Sequence, residues 1–392
     1  MKHEDKEGNS VLKKGWMLLW LLWLLAVPAY AQEEMTVYVS QRAMDEGTAQ
    51  LLVRLLEETF PQADWTLDYG GEDLRDRVLG DRAPQVAICL PQEAAPWARE
   101  GLLEPMDGLM MDLDRIEQQV VQACVQEESL FMIPLLARHR QMAANRAILE
   151  AARFGYLLDS VAHPVWTPLE FFQLLEELSL EGLPGADLWV ATPSEADGPQ
   201  ALVQALYSRP LIAQDGVSVR ADAMEISAAL SWLQRMVQAE MIVIAPGRTQ
   251  ALERFLAGET ALFFDWTREE ERRWKSLLEE RGIDVVSLPY PSSCGLPVRS
   301  FDVVGVAVFR SPCSALALEA ACFFHEDAQA QAILGGRAIW KDDSLWLTSL
   351  SATDRGTTLR ALLCAAMEEV LLRGADVQQT LWRLQALMET MP

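Results

Sequence analysis

Two adjacent side chains, Asp265 and Trp266, close the apolar run Ala261-Leu262-Phe263-Phe264 with a carboxylate and an indole. A flat aromatic face stacks on the C–H face of a sugar ring, and a neighbouring carboxylate accepts hydroxyl hydrogens. The pair therefore has the chemistry of a small polar-ligand site. Sets of residues that could break bonds do not emerge from the spacing. The four histidines, His3, His139, His163 and His325, are scattered, and HEDAQ at His325 lacks the second histidine of a zinc-protease helix. No G-x-S-x-G elbow, phosphate-cradling glycine loop or tight Asp/His metal cluster occurs. The paired acids Glu57-Glu58, Glu279-Glu280 and Glu368-Glu369 lie among Lys and Arg on predicted helices and read as solvated faces. Catalysis, a resident metal and a cofactor are not expected.

The aromatic inventory extends the same theme. Of the 13 tryptophans, Trp16, Trp20 and Trp23 fall in the first segment, while Trp65, Trp97, Trp166, Trp266, Trp340 and Trp346 fall at predicted strand ends or loops. Each could plug a core or wall a cleft. A net charge of −24 argues against nucleic acid, whose phosphates need Lys/Arg-rich surfaces. Lys13-Lys14, then GWMLLWLLWLLAVPA, then Ala29-Tyr30-Ala31 is the cationic, apolar and A-x-A order of a secretory leader, so residues 1–31 are expected to be removed. No cysteine near that site could carry a lipid. The six cysteines, Cys89, Cys124, Cys294, Cys313, Cys322 and Cys364, contain no C-x-x-C pair. Cys322 and Cys364 sit in apolar helical runs as small core fillers, and spacing leaves a Cys294–Cys313 disulfide open.

The elements that would position these groups alternate. Strands are predicted over Met35 to Ser40, Trp65 to Tyr69 and Val86 to Leu90, with helices over Asp45 to Phe60, Leu74 to Leu79 and Pro96 to Glu100. Such β-α-β units build a largely parallel sheet, with ligands beyond the carboxyl ends of the strands. That rule places Ser40-Gln41, Tyr69-Gly70-Gly71 and Leu90-Pro91 on one rim. A second α/β region opens with Thr167 as N-cap, Pro168 as first helical residue and Glu170 completing a capping box. LWVAT, the run at Ala261 to Phe264, DVVSLPY and Ser300 to Phe309 are further strands. Helices follow over Glu225 to Glu240, Gln250 to Leu256, Ser314 to Leu334, Thr357 to Leu372 and Val377 to Met388.

Five segments in order resemble the extracellular solute-binding proteins of the maltose-binding-like type, which serve ABC importers. They are APQVAICLPQEAAPWAREGLLEPMD, SLFMIPLLARHRQMAANRAILEAARFG, PVWTPLEFFQLLEEL, FLAGETALFFDW and SLPYPSSCGLPVRSFDVVGVAVFRSPCSALALEAACFF. Gln85 stands where that family carries Asp, and Asp265 where it carries Gly before the cleft tryptophan. The resemblance implies a two-lobe, periplasmic-binding-protein-like type II α/β fold with hinges near Ala137 to Met142 and Val303 to Val306. Lobe 1 is expected over 35–136 and 307–345, and lobe 2 over 138–306 and 346–392. Trp266 matches a family ligand-binding position. Strand-end reasoning adds Asp265, Gln41, Tyr69, Gly70, Arg138, His139, Tyr207 and Asp302. The implied function is capture of a small ligand, a sugar or oligosaccharide, by an exported monomer that delivers it to ABC permease subunits. A second reading keeps residues 16–32 attached as a membrane anchor and uses the lobes as a sensor or scaffold that docks a protein partner.

Overall fold

The computed structural model describes residues 33–390 apart from 71–73, 81, 110–112, 127, 160–164, 184, 192, 196, 212–219, 336–344 and 349–355. The expected leader, Gly71, His163 and Trp340 lie outside the described residues. The strands are β1 (Glu33–Val39), β2 (Ala63–Tyr69), β3 (Val86–Cys89), β4 (Val125–Gln126), β5 (Ser129–Leu130) and β6 (Ile133–Asn145). They continue as β7 (Ala186–Trp189), β8 (Ile242–Ala245), β9 (Leu262–Trp266), β10 (Val285–Leu288), β11 (Val298–Val308) and β12 (Leu345–Thr348). Ten of the described strands form one sheet in the order β2-β1-β3-β11-β6-β9-β7-β8, with β10 on β6 and β12 on β11. β4 and β5 form a separate hairpin.

The sheet is parallel at its two ends and antiparallel in the middle. β2, β1 and β3 run parallel on one side, and β9, β7 and β8 on the other. Between them β11 is antiparallel to β3, and β6 is antiparallel to both β11 and β9. The residues of β3, β7 and β9 are all buried, as expected of strands covered on both faces.

Two hydrophobic cores share this sheet. One gathers residues from Met35 to Ala137 and from Phe301 to Leu334; the other runs from Met142 to Val298 and from Leu359 to Met388. β6 therefore contributes Ile133, Leu135 and Ala137 to the first core and Met142, Ala143 and Ala144 to the second. The intervening Arg138-His139-Arg140-Gln141 are polar and only half-buried. β11 changes core between Val298 and Phe301, earlier in the strand than the Val303 to Val306 stretch expected as its hinge. The register shifts on both sides of the polar stretch, between Val304 and Gly305 against β11 and between Gln141 and Ala143 against β9. Gly305 faces Pro134, which has no N–H to give the ladder.

Local signals specify the flanking helices. Asp45 caps the helix Glu46–Thr59 by accepting from the Thr48 N–H, and Leu52, Val53, Leu55 and Leu56 form its buried stripe. The Thr167/Glu170 capping box and Pro168 open the helix Pro168–Leu180 as the sequence predicts. The expected helix over Ser314 to Leu334 is two helices, Ser314–Glu326 and Ala328–Ile333. Asp327 breaks it by adopting extended backbone and accepting from the N–H groups of Gln329 and Ala330. All six cysteines are free, so Cys294 and Cys313 do not pair; Cys364 is buried as expected, while Cys322 is half-exposed at the surface.

The helix Asp197–Leu206, not read from the sequence, is buried along its whole length. It packs so tightly on β9 that a Cβ at Gly198 would overlap the Phe264 carbonyl group and the Asp265 Cβ. Those obstacles belong mostly to backbone and cannot rotate away. Gly198→Ala should therefore cost about 1–3 kcal/mol despite alanine's better helix propensity. Urea unfolding checks this, and an unchanged or raised midpoint contradicts it.

Candidate functional site

The polar stretch of β6 is where the expected site residues converge, around a side chain the sequence reading passed over. Arg138 and Arg140 are two residues apart on a strand and so share a face. Both reach Asp302 of β11: Arg138 Nη2 lies 3.4 Å, and Arg140 Nε 3.1 Å, from Asp302 Oδ2. Arg140 also pairs with Asp265 of β9, and its Nη2 is 3.4 Å from Asp197 Oδ2 at the start of the helix Asp197–Leu206. One guanidinium thus meets three carboxylates.

The cluster continues outward through two more arginines. Arg360 places Nη1 3.0 Å from Asp197 Oδ1. Arg248 donates Nε to Asp265 Oδ2 at 2.5 Å and Nη2 to the Asp265 carbonyl at 3.0 Å, and also pairs with Glu270. Glu270 is at the same time the reaching member of a capping box with Thr267. Tyr290, fully buried, donates its hydroxyl to the Phe264 carbonyl just before the pair. The geometry fits four arginines to four acids.

Burial and charge compete at each carboxylate. At Asp265 burial pushes the carboxyl up, but Arg140 and then Arg248 outweigh it and hold it below the usual carboxylate range. At Asp197 burial wins over Arg140, helped by the nearby Asp302, and the carboxyl is raised. At Glu270 burial again prevails over Arg248. Among the described residues no cluster of His, Cys, Asp and Glu suits a metal ion; these acids are engaged by arginine.

Asp265, Asp302 and Arg138 are brought together, with His139 beside them on β6 and half-buried. Trp266 is a correction. It belongs to β9 itself, is 1% exposed, and packs edge-on to Phe255 and Phe263 at centroid distances of 6.1 and 6.3 Å. Its ring offers no open face to a ligand, and its Nε1 has no hydrogen-bond partner. Asp265 is corrected with it: at 2% exposure it is the buried counter-ion of two arginines and not a free acceptor at a strand end.

Gln41, Tyr69 and Gly70 form a second group, at the carboxyl ends of β1 and β2. Gly70 has φ +56°, which favours glycine, and it lies against the exposed Gln41 side chain, which a Cβ there would push aside. Tyr69 donates its hydroxyl to the Met44 carbonyl at 3.1 Å. Tyr207 joins neither group. It follows the far end of the helix that Asp197 begins, roughly 15 Å along the axis at 1.5 Å per residue.

The sequence reading missed Arg140, Asp197, Arg248, Glu270, Arg360 and Tyr290. Arg140 carried a signal, the i, i+2 spacing with Arg138. Asp197 and Arg360 are 163 residues apart, and nothing local pairs them.

No family model matches the chain, and no curated relative matches it. Solved structures do match. The cyclic α-maltosyl-1,6-maltose binding protein from Arthrobacter globiformis superposes with a TM-score of 0.74 at 15% identity, covering 92% of this chain and 100% of that one. The sugar-binding protein MalE from Xanthomonas citri gives 0.71 at 14%, covering 91% and 97%. The GacH receptor of Streptomyces glaucescens, solved unliganded and in complex with acarbose, gives 0.69 at 16%, covering 92% and 100%. The chain has the two-lobe fold of these maltose-binding-protein-like proteins.

Asp265 supplies a test of the cluster. Its lowered carboxyl contributes stability that is present above the unfolded value near 3.8 and lost only as pH falls below it. Asp265→Asn leaves Arg140 and Arg248 undercompensated and should cost about 3 kcal/mol at pH 7. The difference from wild type should shrink as both are acidified below pH ~4. Urea midpoints measured from pH 7 to pH 3 check this; a loss under ~1 kcal/mol at pH 7 contradicts it.

Proposed function

We propose that this protein is an extracellular solute-binding protein that captures a sugar or oligosaccharide between its lobes and delivers it to an ABC importer. The observation that carries the reading is the passage of β6 and β11 through both cores, with a polar cluster where they change core. Two bodies joined by β6, β11 and the chain between Leu334 and Leu359 can rotate about these crossings, and a ligand held between them favours the closed form by contacts made only there. The solved structures with this fold include binding proteins for cyclic maltosyl-maltose, cycloalternan, acarbose and tagatose, all carbohydrate or carbohydrate-like.

In this reading Gln41, Tyr69 and Gly70 approach the ligand from lobe 1 and Arg138 from the hinge; Asp302, 4% exposed, is like Asp265 a buried counter-ion of two arginines, and His139 points to the opposite face of β6. Arg138 Nε is buried without a hydrogen-bond partner and suits a hydroxyl acceptor. Trp266 stays within the second core, packed on Phe255 and Phe263. The leader at residues 1–31 is read as exporting the chain. Among the described residues no helix is long and apolar enough to cross a membrane.

A panel of linear and cyclic gluco-oligosaccharides tests this by thermal shift and tryptophan fluorescence. At a ligand concentration 100 times Kd, stabilisation of about 2.7 kcal/mol is expected. Arg138→Ala should weaken binding roughly tenfold or more, through loss of a charged hydrogen bond. A panel in which no sugar moves either signal contradicts the carbohydrate reading.

A further inference from the structure

The sheet ends at β8, which pairs with β7 on one side and with no other described strand. Alongside it runs a groove of about 620 Å³ whose lining includes Leu183, Val237, Glu240, Ile242, Val243 and Ile244. Successive residues of a strand point to opposite faces of the sheet. A groove touched by three consecutive residues, Ile242 to Ile244, therefore follows the open edge of β8 and not one face. In a four-residue parallel strand, alternate residues turn both N–H and C=O away from the partner, so this edge presents unused backbone donors and acceptors.

The walls describe what would fill it. Ser179, in the last turn of the helix Pro168–Leu180, and Leu183 just beyond it form one wall, and Leu183 is 39% exposed. That helix points its carboxyl end at the groove with no basic residue in its last turn and Glu181 as its C-cap. Glu240, past the helix Met224–Gln238, also lines the groove, and among the described residues no Lys or Arg lines it. The Glu240 carboxylate and the negative end of a helix, over an apolar floor, complement a cation.

We propose that β8 is a docking edge for an extended segment of a protein partner, with alternate apolar side chains flanked by Lys or Arg, which adds to the sheet as a further strand. Main-chain bonds hold it, the groove takes its apolar residues, and Glu240 pairs with its charge. The site does not depend on the hinge cluster or on any sugar.

The test uses the full chain and a fluorescein-labelled peptide of about eight residues, alternating Val and Thr with Lys at both ends, a length matched to short strands. Fluorescence anisotropy should show saturable binding, weakened roughly tenfold or more by Glu240→Lys and by Ile244→Lys. N-methylation of alternate peptide amides should abolish it, while Asp64→Lys on the opposite edge strand, β2, should leave it unchanged. The proposal is overturned by absent binding, by binding indifferent to N-methylation or to both groove variants, or by loss through Asp64→Lys. Light scattering that shows a dimer masking the edge also overturns it. Melting temperatures of the variants confirm that each is folded.

Discussion

A guanidinium held among three aspartates, on a strand that both cores share, is the constraint the rest of the structure answers to. Asp265 and Asp302 are almost wholly removed from water, and Asp197 nearly so. Such carboxylates are tolerable only with cations and hydrogen bonds in good geometry. Arg140 meets that need for all three, which requires β6, β9, β11 and the helix Asp197–Leu206 to arrive at one point. The register shifts on either side of Arg140, the close seat of Gly198 on β9 and the buried Tyr290 hydroxyl all serve that convergence. Replacing the cluster with apolar residues could yield a more stable fold, so its presence points to specificity of arrangement.

The same cluster sits where the chain passes from one core to the other. Apolar packing ends at Ala137 and resumes at Met142, so little but polar contact occupies the passage. Polar side chains can exchange partners with water, whereas close-packed cores resist deformation. The rotation proposed above would centre on this passage. Asp302, flanked by first-core residues, and Asp265 and Asp197, seated with the second, are linked through Arg140.

Much of the fold was legible because it rests on short-range signals. The stripe of Leu52, Leu55 and Leu56, the Thr167-Pro168-Glu170 opening and the glycine at Gly70 each name a local geometry. β6 was not read as one strand, because Arg138-His139-Arg140-Gln141 breaks its apolar run. The helix Asp197–Leu206 opens on Asp-Gly-Pro, which reads as a turn. The site was legible only in part, for a different reason. Strand alternation cannot tell a cleft-facing indole from one buried on a doubly covered sheet, and Trp266 is the latter. Strand-end reasoning named Asp302 and Arg138, which the fold brings into one ion pair, but pairing Asp197 with Arg360 depends on contacts between distant segments.

The central claim is that Arg140 ties the two bodies across their shared strands. Spin labels at Glu57→Cys and Glu279→Cys, with the native accessible thiols replaced, report the distance between the lobes by pulsed electron resonance. The account predicts a narrow distribution for the parent chain and a broadened or displaced one for Arg140→Met. Superimposable distributions, with Arg140→Met folded, would contradict it.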